Sequence, residues 1–183
     1  MRVDLVQRAK EGDEDAFNAL VDEDGGRLFA IAFRILRDVE RAEDAVQQTY
    51  LEAWRDLPRL RDLERYGPWL HRLLVNACYE ESRRWSRWRR RVHVLPLEGP
   101  AEPDHSQAVE DRDALDRAFG ALSAEHRAVF VLHHHVGMAL AEISDVVGVP
   151  VGTVKSRLHY ATRHLRAALY PSTADTPAEA HSA

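Results

Sequence analysis

Arginines interleaved with tryptophans are the most chemically distinctive feature of the sequence. The stretch Ser82 to Arg91 reads SRRWSRWRRR and carries six guanidiniums and two indole rings but no acidic residue. Guanidiniums attract phosphate, and indole rings offer faces on which unpaired nucleobases can stack. The stretch therefore predicts contact with nucleic acid. In the alternative interpretation, Trp85 and Trp88 lie three residues apart on one helix face and belong to a core, while the arginines are solvated and favoured by the helix dipole.

A second stretch, AEISDVVGVPVGTVKSRLHYATRHL, has the layout of a helix-turn-helix, with a short helix, a turn at Gly148 and a longer helix. At about 100° per residue, one side of the longer helix is apolar and the other is polar, so the polar face can enter a major groove. A plain amphipathic helix with a solvated face explains the same pattern equally well. The apolar side holds Val154, Leu158, Ala161 and Leu165. The residues expected to contact DNA are Lys155, Ser156, His159, Tyr160 and Arg163, together with Thr153 and Arg157 as phosphate contacts.

Nothing in the sequence forms a recognisable catalytic or metal site. The consecutive histidines His133, His134 and His135 diverge by about 100° from one another on a helix, so they cannot converge on one ion. Cys78 is the only cysteine, which excludes an intramolecular disulfide and a zinc site built from cysteines. No Ser/His/Asp or Cys/His pairing and no phosphate-cradling glycine loop is present. The sequence predicts a protein that is not an enzyme and needs no metal and no cofactor.

Charge is strongly segregated along the 183 residues, although the whole chain is only modestly acidic, with a net charge of −5. Residues 1–81 carry 12 basic and 18 acidic side chains, and residues 92–150 carry 3 basic and 10 acidic ones. Two basic stretches lack acidic residues altogether: residues 82–91 have six arginines, and residues 151–170 have four basic side chains. This distribution is typical of a protein that touches phosphate at two separate places and repels it elsewhere.

Composition favours a globular protein of the cytoplasm. A single cysteine suits a reducing compartment. The first ten residues, MRVDLVQRAK, lack the apolar segment of a signal peptide, and no apolar run approaches the roughly 18 to 20 residues that span a bilayer. We therefore expect cytoplasmic localisation and no membrane partner.

Helical periodicity broken by glycine and proline predicts an all-α fold. Pro96, Pro100 and Pro103 interrupt the periodicity and indicate an extended tether between two helical sets. The expected helices are Val3 to Lys10, one capped by Asp13 with apolar residues recurring as far as Ile35, Val39 to Leu57, one from near Tyr66 into the arginine stretch, Val109 to Leu122, Ala124 to His135, Leu140 to Val147 and Val151 to Leu169. In the third helix, a stripe expected to pack inward holds Ala42, Ala45, Val46, Thr49, Ala53 and Trp54. The expected organisation is a helical domain at 1–91, a flexible Pro-containing linker at 92–108, a second small helical domain with the helix-turn-helix at 109–170, and a disordered tail at 171–183.

Four motifs, in this order and spacing, resemble the extracytoplasmic-function type of bacterial RNA polymerase sigma factor, within the sigma-70 family. The motifs are GDEDAF at Gly12 to Phe17, AEDAVQQTYLEAW at Ala42 to Trp54, WLHRLLVNACYEESRR at Trp69 to Arg84, and GTVKSRL at Gly152 to Leu158. The resemblance covers nearly the whole folded chain. It implies that residues 1–91 are sigma region 2, which binds core polymerase and melts the promoter, and that residues 109–170 are sigma region 4, which reads the upstream promoter element.

The resemblance also implies roles for individual residues and partners. Asp44, Gln47, Gln48 and Leu51 would dock on the clamp helices of the largest polymerase subunit, and region 4 would also meet the polymerase flap. Asn76 matches the family's base-contacting asparagine, and Arg83 and Arg84 would meet phosphate. The full set expected at the melted promoter element is Arg72, Asn76, Arg83, Arg84 and Trp85. An inhibitory anti-sigma factor that wraps both domains is a further possible partner.

Three positions depart from the family's usual pattern. Ala139 stands where a serine or threonine usually caps the first helix of the helix-turn-helix, a loss of about 1 kcal/mol unless another group caps it. Ser144 replaces a small alanine. The segment DLPRLRDLER before Trp69 lacks the aromatic residue that often helps to grip an extruded base, so the preferred melted element is expected to differ.

Two other classes of protein compete with this interpretation. A stand-alone helix-turn-helix regulator would use residues 1–90 for dimerisation or sensing and would bind symmetric duplex sites without polymerase. The Arg-Trp helix and the AEDAVQQ face are not needed in such a protein. A helical enzyme or metalloprotein using the ten histidines is disfavoured because neither their spacing nor their partners form a site.

Overall fold

The computed structural model describes residues 2–92 and 107–169, and within these ranges the fold is all-α, with helices joined by short turns and no strand, as predicted. None of the described helices is long and apolar enough to cross a membrane. The predicted tail and most of the predicted linker lie outside the described residues, and the first helix after the linker begins at Gln107, two residues earlier than expected. The helices are α1 (Arg2–Lys10), α2 (Glu14–Leu36), α3 (Val39–Asp56), α4 (Tyr66–Val92), α5 (Gln107–Ala121), α6 (Ala124–His134), α7 (Leu140–Val147) and α8 (Val151–Leu169), with short 3-10 turns at Leu57–Arg59 and Leu63–Arg65.

Side-chain caps fix where several helices begin. Asp13 accepts a hydrogen bond from the backbone N–H of Ala16, and this bond, together with the Arg8 guanidinium, holds the pKa of Asp13 below its usual range. Ser123 caps α6 as predicted. Ala139 has no capping side chain, but the Glu142 carboxylate accepts the Ala139 N–H at 2.7 Å. The half of the capping box made by Glu142 is therefore present at the start of α7. It offsets part of the capping free energy that is lost because Ala139 has no capping side chain.

The first four helices pack closely because α3 presents small side chains to its neighbours. Ala42, Ala45 and Ala53 are fully buried, and Thr49 is buried with its hydroxyl donating to the Ala45 carbonyl oxygen at 2.6 Å. The prediction that Trp54 packs fully inward with this stripe is wrong. Its side chain is 39% exposed and contacts only the rim of the core, because its ring meets the edge of a phenylalanine from α2 at 4.9 Å.

A buried carboxylate ties α1 to α2. Asp24 is 1% exposed and accepts two hydrogen bonds from Arg2, at 2.8 and 2.7 Å, and one from Arg27 at 3.0 Å. The two guanidiniums neutralise a charge that would otherwise be costly to bury. Near them, His71 of α4 is buried, and neither of its ring nitrogens has a hydrogen-bond partner among the described residues.

The predicted helix-turn-helix is present in the second half of the chain. Gly148 ends α7 with a left-handed backbone, φ +69°, and α8 begins three residues later. Ser144 donates a hydrogen bond to the Val149 carbonyl oxygen at 2.6 Å, so this departure from the family pattern ties α7 to the turn. The apolar side of α8 packs against α5 and α6 as predicted, with Val154 and Ala161 fully buried.

The two halves share one large hydrophobic cluster, and a smaller cluster of Ala118, Leu122, Ala161 and Leu165 lies within the second half. Helix α6 packs on α2 and α4, and α7 packs on α4, which places Ile143 and Val146 in the same cluster as Leu74. We call this contact between the first four and the last four helices the seam. Polar contacts between described residues that cross the seam include Arg37 with Asp116, Arg65 with Asp145, and Arg127 with the Ile35 carbonyl oxygen.

Candidate nucleic-acid interface

The polar face of α8 is open to solvent over most of its length. Val154, Ala161 and Leu165 hold the opposite face in the core, so the helix cannot rotate to hide its polar side. The Ser156 hydroxyl donates to the Thr153 carbonyl oxygen at 2.9 Å, which leaves its oxygen lone pairs as acceptors. The predicted DNA contacts that are exposed are Lys155, Ser156, His159, Tyr160 and Arg163. This arrangement suits insertion into a major groove.

The two predicted phosphate contacts, Thr153 and Arg157, are only half-exposed. Arg157 lies close enough to α4 for its charge to act on the buried Tyr79 hydroxyl, whose pKa is raised mainly by burial. On α6 its charge, added to burial, lowers the pKa of His126. Arg157 therefore belongs to the seam as well as to the α8 surface.

Tyr160 is held between two histidine rings on the surface of the second half. Its ring centroid lies 4.6 Å from that of His126 and 6.1 Å from that of His164, with the latter ring nearly parallel. The side chain is still 45% exposed. The contacts restrict its rotamers, so Tyr160 presents a fixed edge beside the recognition face.

The tryptophans of the arginine-rich end of α4 are on the surface, so the interpretation that places them in a core is wrong. Trp85 and Trp88 are 38% and 46% exposed and stack on each other with ring centroids 4.7 Å apart. The guanidinium of Arg41 lies 4.9 Å from the centre of the Trp85 ring. Part of the ring surface is thus already occupied by a neighbour, and the remainder is available to a base.

A basic groove of about 710 Å³ runs between this end of α4, the junction of α2 and α3, and the start of α6. Glu125 is the only acidic residue in its described lining. The groove combines residues from both halves of the chain, so its shape depends on the seam. Its arginines are Arg37, Arg41, Arg83, Arg87, Arg89, Arg90 and Arg127.

Asn76 lies in one trough with the face of α3 that was predicted to bind polymerase. The trough has a volume of about 900 Å³, and α3 and α4 form its two walls. Leu51 is 61% exposed within it, and Gln48 donates to the Glu52 carboxylate at 2.9 Å. The residues of both predicted sites that line the trough are Asp44, Gln47, Gln48, Leu51, Asn76, Arg83 and Arg84.

Arg72 lies in a different groove from Asn76, although the two are one helical turn apart on α4. This second groove has a volume of about 410 Å³ and is lined by Trp69 and Arg72 of α4, by the segment before α4, and by α7. The segment contributes Arg61 and Arg65, which sequence reasoning missed. Their signal in the sequence is the set of basic residues in DLPRLRDLER.

The histidine run lies at the end of α6, and its members make different contacts. Among the described residues, no group of three or more histidine, cysteine, aspartate or glutamate side chains is arranged to hold a metal ion. His133 is half-buried with its Nδ1 3.1 Å from the Met138 carbonyl oxygen, and His134 stacks on Phe130. Cys78 is buried, and burial raises the pKa of its thiol to about 12, so it is a core residue without nucleophilic character at neutral pH.

Comparison with protein families identifies both halves of the chain. Residues 20–90 match the family model of sigma-70 region 2, and residues 112–165 match that of sigma-70 region 4. The chain is 38% identical over 168 residues to the ECF RNA polymerase sigma factor SigL of Mycobacterium tuberculosis (strain ATCC 25618 / H37Rv), with 90% of this chain and 94% of SigL covered. It is 24% identical to the ECF RNA polymerase sigma factor SigW of Bacillus subtilis (strain 168), with 88% and 92% covered.

Solved structures give the same relationship. The chain resembles CnrH, solved in complex with the cytosolic domain of CnrY, with a TM-score of 0.67, 25% identity and coverage of 94% of this chain and 99% of CnrH. It also resembles the sigma factor RpoE of Bartonella quintana, solved with the anti-sigma factor NepR, with a TM-score of 0.64, 25% identity and coverage of 84% and 96%.

Region 2 followed by region 4, with a solvent-exposed recognition face on α8, defines a transcription initiation factor of the sigma-70 class. More specifically, the chain belongs to the ECF family of RNA polymerase sigma factors. It binds core RNA polymerase and promoter DNA and directs promoter-specific initiation of transcription. The stand-alone helix-turn-helix regulator is not favoured, because such a protein has no need of region 2.

Proposed function

We propose that this sigma factor makes its three contacts through α3, α4 and α8. The α3 face binds the clamp helices of the largest polymerase subunit, α4 and the segment before it hold the melted promoter element, and α8 reads the upstream element. We assign residues 1–91 to the first two tasks and residues 109–170 to the third. The trough that Asn76 shares with Leu51 carries the proposal, because it connects polymerase docking directly to strand capture.

The α3 face has the composition of a reversible protein interface. Leu51 is a single exposed apolar side chain among the polar residues Asp44, Gln47 and Gln48. An apolar centre inside a polar rim gives affinity without making the free surface aggregation-prone. The flap contact of region 4 adds a second weak interface, and linkage of the two raises their effective concentration.

The melted element is held by α4 through phosphate and base contacts. Arg83 lies 3.9 Å from Glu80 and Arg84 lies 2.6 Å from Glu81, so both guanidiniums are paired with carboxylates on their own helix. Both guanidiniums are exposed and can exchange their carboxylate for a DNA phosphate, the Arg83 pair more readily, because the Glu81 side chain is only 15% exposed. Asn76 is exposed and offers both a donor and an acceptor to an unpaired base edge. Arg72 and Trp85 complete the proposed set.

The upstream element is read by α8. Lys155, Ser156 and His159 project into solvent from the N-terminal half of α8, where a recognition helix meets base edges. The remaining proposed contacts of this helix are Thr153, Arg157, Tyr160 and Arg163.

The protein performs no chemistry of its own in this proposal and acts in the bacterial cytoplasm, where core polymerase is found. Sigma factors are known as non-enzymatic initiation factors. The similar structures of CnrH and RpoE were solved with CnrY and with the anti-sigma factor NepR, and this supports an anti-sigma partner for the present chain.

Run-off transcription with purified core polymerase and a pool of genomic promoter fragments tests the proposal. Specific transcript starts that appear only when the protein is added are expected, and their aligned upstream sequences would give both recognition elements. The matched controls are the protein without core and core without the protein. Tight binding of the protein alone to symmetric duplex sites, with no starts, would instead indicate a stand-alone regulator.

A further inference from the structure

The seam places a carboxylate of the helix-turn-helix on the segment that precedes α4. Asp145 of α7 accepts from the guanidinium of Arg65 at 3.0 Å. The pair closes one side of the 410 Å³ groove whose other basic residues are Arg61 and Arg72. A domain expected to read duplex DNA thus contributes a wall to a groove beside the strand-opening helix.

The groove has the composition of a phosphate site rather than a protein interface. Three guanidiniums surround one aromatic ring, that of Trp69. Asp62 also lines the groove, and one oxygen of its carboxylate accepts the backbone N–H of Glu64 at 3.0 Å, so the three guanidiniums outnumber the two lining carboxylates, those of Asp62 and Asp145. Phosphodiester oxygens are the anions that such a guanidinium cluster recognises, and the indole suits an unpaired base.

We propose that this groove binds the backbone phosphates of the unpaired promoter strand, and that Asp145 occupies Arg65 in their place while the seam is closed. The proposal rests on the proposed function, since it concerns the strand that α4 holds. It adds Arg61 and Arg65 to the DNA-binding residues and makes α7 an intramolecular competitor of DNA.

The apolar part of the seam, rather than the ion pair, keeps α7 in place. Ile143 and Val146 of α7 are 0% and 2% exposed against the first half. The side chains of Arg65 and Asp145 are 61% and 67% exposed, and ion pairs in such positions contribute little to stability. Asp145 therefore acts mainly by its charge: it neutralises Arg65 and repels an approaching phosphate.

The competition is reciprocal. If the closed seam weakens strand binding by a given factor, strand binding opens the seam by the same factor. Core polymerase would shift the same equilibrium if it holds the two halves apart, so the free protein would bind unpaired DNA less well than the protein in holoenzyme.

Binding of a fluorescein-labelled single-stranded 12-mer of random sequence to the full-length free protein, followed by anisotropy at low salt, tests this inference. Asp145→Asn keeps the side-chain shape and removes the charge, and it should tighten binding about two- to fivefold. The gain should shrink as salt rises, because the interaction is exposed. Arg65→Gln should weaken binding, and in the double variant the gain from Asp145→Asn should disappear.

Asp116→Asn is the matched control. Asp116 is also an exposed seam carboxylate paired with an arginine, Arg37, and its side chain is 63% exposed, but it lies away from the groove. Because Arg37 lines the basic groove, the control is made in an Arg37→Gln background, where Asp116→Asn should leave 12-mer affinity unchanged. Equal gains in the two variants would overturn the competition and assign the effect to general loosening of the seam. No gain in either variant would also overturn it.

Run-off transcription by wild-type holoenzyme separates this result from the proposed function. Failure of the wild type to start transcripts would refute the proposed function. Normal wild-type starts with no change in 12-mer affinity for Asp145→Asn would refute only the competition.

Discussion

Arg127 of α6 donates a hydrogen bond from its Nε to the carbonyl oxygen of Ile35 in the last turn of α2, at 2.5 Å. The same guanidinium donates to the carbonyl oxygens of Gly120 and Leu122, at 3.1 and 2.7 Å. One side chain therefore satisfies carbonyl groups at the ends of two helices on opposite sides of the seam. Burial, with the charges of Arg37 and Arg41, lowers its pKa, so the contacts are made by a partly desolvated cation.

Arg127→Ala should lower the free energy of unfolding by about 2 kcal/mol, because three carbonyl groups lose a charged donor. Urea unfolding followed by circular dichroism measures the change. Arg117→Ala is the control, since Arg117 is exposed on α5 and makes no ion pair with a described residue. Equal stability of the two variants would contradict a bridging role for Arg127.

Leu51→Ala and Gln48→Ala should weaken binding to core polymerase, about fivefold or more for the leucine, while leaving the unfolding transition unchanged. The reason is that Leu51 is the exposed apolar centre of the proposed interface. Competition for core against a labelled sigma factor measures the affinity. Val39→Ala removes another exposed apolar side chain of α3, outside the trough, and should have no effect. An equal loss for Val39→Ala would place the interface elsewhere.

Lys155→Ala and Ser156→Ala should alter the choice of upstream element without altering core binding. A contact between Lys155 and DNA releases counterions. Removal of the side chain should therefore reduce the slope of log binding constant against log salt concentration by about one. Sequencing of transcript starts from a promoter library reads out the choice. The control is Arg166→Ala, which removes an exposed cation from the last turns of the same helix. Unchanged promoter preference in both α8 variants would refute the assignment.

Asn76→Ala should slow promoter opening on duplex DNA. On a template with a pre-melted element, the rate of open-complex formation should recover. Loss of a base contact costs stabilisation only of the unpaired state, so a template that is already open needs it less. Open-complex formation measured by stopped-flow fluorescence distinguishes the two templates. Asn76→Asp, which keeps the shape and removes the donor, should behave similarly on the duplex. A persistent defect on the pre-melted template would show that Asn76 has a structural role.

The stability of the protein should fall between pH 6.5 and pH 4 because of His71. Burial, with the Arg27 charge, lowers the pKa of His71 to about 4 in the folded state. In this pH range the unfolded chain carries a proton on His71 that the folded chain does not, so acidification favours unfolding, by about 3 kcal/mol in total. Urea unfolding over this range should show that the free energy of unfolding of the wild type, taken relative to that of His71→Leu, falls as the pH falls. Parallel curves would show that His71 is protonated to the same extent in both states.

Local sequence signals predicted most of the helices and the surfaces of α8 and α3. Helix bounds depend on signals that lie within a few residues of each other: the spacing of alanine and β-branched residues, glycines that end helices, and capping residues. The bounds of α7 and α8 could therefore be predicted correctly. The same local periodicity identified which side of α8 would be buried. Trp54 was mispredicted because an aromatic ring at the edge of an apolar stripe can fill the rim of a core while remaining partly exposed.

Contacts between distant parts of the chain could not be predicted in the same way. The seam brings Arg65 to Asp145 and Arg127 to Ile35 across 80 and 92 residues of sequence. No periodicity encodes such a distance, and the predicted linker gave no reason to expect a shared core. The shared trough of Asn76 and Leu51 depends likewise on how α3 and α4 pack.

Arg37 shows how the seam constrains what this sequence can become. It is the only described residue other than glycine with a positive φ, 58°, and it ends α2 in the left-handed conformation. Glycine would relieve that backbone strain, of order 1 kcal/mol. The same exchange would remove the side chain that reaches Asp116 and lies 6.0 Å from the ring of Phe119. Selection for thermal stability at this position therefore meets opposing demands: the substitution that relaxes the end of α2 also releases one of the ties between the two halves.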